Sequence, residues 1–231
     1  MAEFHPAQEL KQLRETLKKM PPKKRIEHLW IYYKWVLGVL AFFALVAVIA
    51  VNGIQNINTE ILLSGELVNV NIYEDGANYL TADYFEKLQG VKGKQRIDVI
   101  ESFLGDLNNS EYAESNYYVV VRTVAAVAAQ ELDYMMMDER SLSRYLSEDL
   151  FIDLNELFTP QELEQMGDDL VYLRYEETGI RIPVAINIKE SGYAKKYIDS
   201  EKATYIAFIV NTTKPEACRA FWDYLMECKA E

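Results

Sequence analysis

Histidine is nearly missing from this chain: its only two, His5 and His28, fall within the first 28 of 231 residues. Everything after them lacks an imidazole for a Ser-His-Asp triad, a Cys-His pair or a His-rich zinc site, which removes the commonest hydrolase chemistries. Cysteine is equally scarce. Cys218 and Cys228 stand about 15 Å apart along the axis if one helix carries both, beyond disulfide reach. They are expected to stay unpaired as small buried hydrophobes, and the chain is no disulfide scaffold. EF-hand, Walker and GxGxxG patterns are absent too, as are internal repeats and low-complexity stretches. No cofactor or metal is expected, and the chain is read as a non-enzyme.

What the chain does have is an uncharged apolar run, Trp35–Val51. As a helix its 17 residues span about 26 Å, and the uncharged flank Asn52–Thr59 extends it through a hydrocarbon core of about 30 Å. One transmembrane helix over 30–55 is the expectation, with Trp30, Tyr32, Tyr33 and Trp35 as an inner aromatic belt. Two alternatives remain open, a buried core helix and a signal peptide cleaved near Val48-Ile49-Ala50. Orientation follows from charge. Eight of the 24 Lys/Arg but only four of the 36 acids precede residue 35, leaving 16 against 32 after Gly53. Basic residues beside a span stay cytoplasmic, so the amino terminus is expected inside and residues 56–231 outside the cell membrane. The net charge of −16 outside argues against nucleic acid. It leaves the membrane itself, a membrane-protein partner or a small polar ligand.

Within the cytoplasmic segment 1–29, Leu10, Leu13, Leu17 and Met20 recur at helical spacing until Pro21-Pro22. Beyond the span, strands alternate with helices. Leu67–Tyr73 alternates apolar and polar and reads as a strand stopped by Asp75-Gly76; Thr81 then caps a helix to Leu88. Further strands are expected at Arg96–Phe103, Tyr134–Met137, Leu170–Tyr175, Ile182–Ile188 and Tyr205–Val210. Helices are expected at Tyr117–Leu132, Ser141–Ser147, Pro160–Met166 with Thr159 as cap, and Lys214–Cys228 with Ala217, Phe221, Leu225 and Cys228 on one face. Strands separated by helices predict an α/β fold with a mostly parallel sheet and flanking helices.

Three segments carry a resemblance. Ala125–Glu139 (AAVAAQELDYMMMDE), Leu146–Phe158 (LSEDLFIDLNELF) and Ile209–Leu225 (IVNTTKPEACRAFWDYL) resemble, in order, parts of extracellular solute-binding proteins of the type II periplasmic-binding fold. In that family two lobes close on a ligand. Here about 25 residues separate the Pro160–Met166 helix from the strand at Ile182, too few for a second lobe, so the resemblance implies one lobe. The domain is accordingly expected to act as a non-enzymatic binding or accessory module, or else as a membrane-tethered solute receptor for an importer or sensor.

In open parallel sheets ligands sit at the carboxyl ends of strands. The candidate binding residues are therefore Tyr73, Glu74 and Asp75, then Glu101 and Ser102, then Asp138 and Glu139, expected to converge on one acidic edge suited to a cationic or hydroxyl-rich group. The plainer alternative is that such carboxylates are ordinary solvated surface.

Overall fold

The protein is seen here as a computed structural model that describes residues 21, 35, 38–51, 60–88, 95–106, 108–175, 179–198 and 204–229. The chain divides into two compact units, 1–58 and 59–231. In the first, residues 38–51 are helical (α1), uncharged, and exposed at every position; Leu40, Phe42, Phe43 and Ile49 each leave more than 60% of their surface open. Among the described residues no helix is long and apolar enough to cross a membrane; α1 alone accounts for about 21 Å. The ends of the expected 30–55 span and the expected amphipathic helix before Pro21 lie outside the described residues.

The second unit is an α/β fold built on six strands: β1 (Glu60–Val68), β2 (Gln95–Ser102), β3 (Tyr134–Asp138), β4 (Leu170–Arg174), β5 (Arg181–Asn187) and β6 (Thr204–Phe208), in the order β2-β1-β3-β6-β5-β4. The pairings β2–β1 and β1–β3 are parallel, whereas β3–β6, β6–β5 and β5–β4 are antiparallel. The sheet is thus mixed, not mostly parallel. Parallel neighbours need a crossover of a dozen residues or more. Helices α2 (Glu74–Asn78) and α3 (Tyr84–Lys87), joined by a wide turn at Tyr79–Asp83, supply one such crossover, and α4 (Ala113–Ala128) supplies the next. Between β4 and β5 only residues 175–180 intervene, closed by Tyr175 N–H to Ile180 O at 2.9 Å, so that pair can only be a hairpin.

The first strand lies earlier than its alternation suggests. β1 is central and covered on both faces, with Leu63 and Leu67 toward one core and Val68 toward the other, and its polar Ser64 and Glu66 are buried as well, so it has no solvent-facing side to reveal it. Asn69 then takes a left-handed φ of 57° and ends the strand. The alternating Val70 and Ile72 belong to the following loop, where both pack on the core. Asp75-Gly76 lies inside α2, and Thr81 is no cap: its hydroxyl donates to Ala77 O at 2.8 Å.

Helices α4 and α5 (Glu139–Tyr145) cover one face of the sheet; α2, α3, α6 (Pro160–Met166), α7 (Gly192–Tyr197) and α8 (Pro215–Glu227) cover the other. The expected start of α6 is met by a full capping box, Thr159 with Glu162. In α8 the buried face holds Cys218, Phe221, Trp222, Tyr224 and Leu225, while Ala217 and Cys228 are half-buried. Both cysteines are free.

Candidate functional site

Strand ends gather polar groups in the parallel half of the sheet. Asn69 Oδ1 accepts from Leu104 N–H at 2.9 Å, and its Nδ2 donates to Leu104 O at 2.9 Å and Ser141 Oγ at 3.2 Å. One side chain thereby joins the ends of β1 and β2 to α5. Its left-handed backbone suits asparagine better than most residues.

The expected site residues are dispersed around this clamp. Asp138 is the cap of α5, its Oδ1 accepting from Ser141 N–H at 2.9 Å, so its charge serves the helix. Glu139 is exposed and lines a shallow hollow with Arg140, Ser143, Arg144 and Ser147. Glu101 is exposed. Ser102 turns inward to Glu66 and Arg122. Tyr73, Glu74 and Asp75 do not end a strand: they open α2 over the other face of the sheet, with Tyr73 N–H bonded to Tyr197 O at 2.9 Å and Ile72 bridged to Ile198. The expected convergence of three strand ends into one acidic edge is therefore replaced by a link between two of them through Asn69, with Tyr73–Asp75 held apart by α7. The loop after β1, misread as strand, is the physical reason.

Beneath the clamp lies a buried carboxylate that sequence reasoning did not single out. Glu66, 3% exposed, meets Arg122 Nη2 at 2.6 Å, accepts from Thr123 Oγ1 at 2.9 Å, and is bonded by Ser102 Oγ. Tyr145 OH lies 3.2 Å from Thr123 Oγ1, and burial holds this phenol above its ordinary value, so it stays a neutral donor. A buried charge needs such a shell. The available signal was a lone acid within the β1 apolar run and a lone base within VVVRTVAAVAA.

A second closed cluster sits at the other end of β3. Asp133, 1% exposed, accepts from Ser64 N–H at 2.8 Å, Thr212 Oγ1 at 2.7 Å and Lys214 Nζ at 3.0 Å. It fastens the lead into α8 to β1. Next to it, burial first and the Asp133 charge second push the Cys218 thiol up to about 12, which keeps it an inert thiol. On the α8 face, Tyr79 and Tyr224 stack at 4.5 Å and exchange hydroxyl-to-carbonyl bonds at 3.2 and 3.0 Å.

An open groove of about 670 Å³ lies between α4 and the segment from α5 to Glu148. Tyr117, Val120, Val121, Val124, Ala125 and Ala128 form its floor, and the Arg144–Glu148 ion pair at 2.5 Å stands at the rim. Its volume is within the range of small-molecule sites. Chemically it offers apolar surface and one neutralised pair of charges. Among the described residues no group of His, Cys, Asp and Glu is arranged to hold a metal ion. No protein-family model, curated protein or solved structure matches this chain.

Proposed function

We propose that this chain is a single-pass membrane protein, amino terminus inside, which presents a one-lobed solute-binding-protein-like domain outside the cell as a non-enzymatic binding or accessory module. The observation that carries the reading is α1: fourteen consecutive uncharged residues, helical and exposed on every side, in a unit distinct from the compact unit at 59–231. An apolar helix with no buried face is stable where lipid surrounds it, because its backbone polar groups are satisfied internally. The carboxylates Glu66 and Asp133 are each fully engaged in structural clusters, which favours a binding role over acid–base chemistry. The test is extraction. The full chain should remain in the membrane pellet after alkaline carbonate washing, and a chain lacking 38–51 should be released; a full chain that washes off would end the proposal.

The alternative, a membrane-tethered solute receptor, is favoured by the groove volume. Its occupant would be a small apolar or amphipathic solute, matched to the valine floor and single ion pair. Such a ligand at 100 Kd raises stability by about 2.7 kcal/mol. A thermal-shift screen against apolar amino acids, short peptides and sugars should find it, and Val121→Trp, which fills the groove, should abolish the shift.

A further inference from the structure

We infer that β2 is a self-complementary sheet edge on which a second copy of this chain docks antiparallel, about a two-fold axis at Ile97. Among the described residues β2 has one strand neighbour, β1, and its other side is an open edge eight residues long, about 26 Å. Open edges are templates for pairing and are usually blunted. The opposite edge is blunted: β4 has only five residues, and Arg181 from β5 is stacked over its Tyr172 ring at 4.9 Å. β2 is eight residues long, and the register irregularity opposite its Arg96 and Ile97 is taken up by β1, between Ile61 and Leu63.

The pattern of β2 says what fits it. Arg96 and Asp98 lie on one face, 2.9 Å apart, with 47% and 29% of their side chains exposed. Ile97 between them points into the core. An antiparallel copy centred on Ile97 sets Arg96 opposite the second copy's Asp98, and Asp98 opposite its Arg96, giving two opposite-charge cross-strand pairs. Shifting the centre to Asp98 opposes two carboxylates, and shifting it to Arg96 opposes two guanidinium groups. Centring on Val99 sets Ile97 against Glu101. One register alone matches both charge and core, which is the signature of an isologous interface. Ile100, 45% exposed and diagonal to the second copy's Arg96, is covered by the stem of that side chain.

Charge reversal tests the register. The full chain in detergent should sediment as a dimer, and Arg96→Asp or Asp98→Arg should each weaken dimerisation at least tenfold. Mixing those two variants, or combining both changes in one chain, should restore the dimer, since each introduced charge then faces its opposite across the axis. Should a reversal impair folding, cysteine variants in a Cys228→Ser background decide the matter. Ile97→Cys should oxidise to a linked dimer. Val99→Cys should not, because its two copies are roughly 13 Å apart in this register. A monomeric wild type, a dimer indifferent to either reversal, a failed restoration, or cross-linking at Val99 in place of Ile97 would overturn the inference.

Discussion

The two halves of the sheet are stabilised by different physics. In the parallel half, β2-β1-β3 and its covering helices hold six of the seven buried polar side chains among the described residues: Ser64, Glu66, Asn116, Thr123, Asp133 and Ser141, with Thr204 alone on β6. In the antiparallel half, β4-β5-β6 buries Val184, Ala185, Ile186, Ile206, Ala207 and Phe208 almost without polar company. A buried apolar residue can be trimmed at the cost of its volume. A buried charge cannot lose one partner without leaving the other uncompensated. The parallel half is thus the one in which single changes act out of proportion to their size. It also carries the open edge, the Asn69 clamp and the α4 groove.

The largest effect should come inside the parallel half, where β1 meets β3. A Cβ on Gly65 would stand 2.1 Å from Tyr134 Cζ, and that ring is fully buried against Phe221 at 4.5 Å between centroids. Gly65→Ala should therefore lose about 3 kcal/mol in denaturant unfolding; a wild-type midpoint would show that the ring has room to move. Next in size, Arg122→Ala strands Glu66 and should cost about 2 kcal/mol, discounted because Arg122 is half exposed. Replacing both Glu66 and Arg122 by Met should recover most of that loss. The antiparallel half provides the contrast, since Ile206→Val should cost about 1 kcal/mol with no partner able to rescue it.

A smaller change should go the other way. Tyr134 OH is buried with no hydrogen-bond partner among the described residues, so Tyr134→Phe should leave stability unchanged or raise it by up to about 1 kcal/mol. The smallest effect is acid-dependent and belongs to the surface beside the antiparallel half. Glu162 is held at about 2, first by the Arg219 hydrogen bond and then by Thr159. A carboxyl lowered on folding contributes stability above its unfolded value, and that contribution fades as the pH falls from about 4.5 through about 2. Melting curves across that window should flatten in Glu162→Gln; an unchanged slope would assign the acid sensitivity elsewhere.

Much of the secondary structure was legible because local chemistry wrote it. Thr159-Pro160 and Glu162 mark the start of α6 to the residue, and Pro215 opens α8 one residue after the expected Lys214. β1 was misplaced because its polar Ser64 and Glu66 are buried along with its apolar positions, so no side faces solvent, while the loop after it alternates by accident of packing. The parallel sheet was over-read because a helix between two strands does not fix their direction: α7 joins β5 to a β6 that runs antiparallel to it. Of the candidate site, Ser102 and Asp138 were found at strand ends, but their partners Asn69, Glu66 and Arg122 were not. Their significance lies in pairings between elements 56 residues apart in the case of Glu66 and Arg122, which periodicity does not report.

Whether the folded unit stands outside a membrane crossed by α1 is tested most directly by an impermeant thiol reagent on intact cells. Glu114 is exposed on α4, Cys218 is fully buried, and Cys228→Ser removes the remaining thiol. In that background Glu114→Cys should label on intact cells, while Ala7→Cys should label only after lysis. Labelling at Ala7 on intact cells, with Glu114→Cys protected until lysis, would contradict the account.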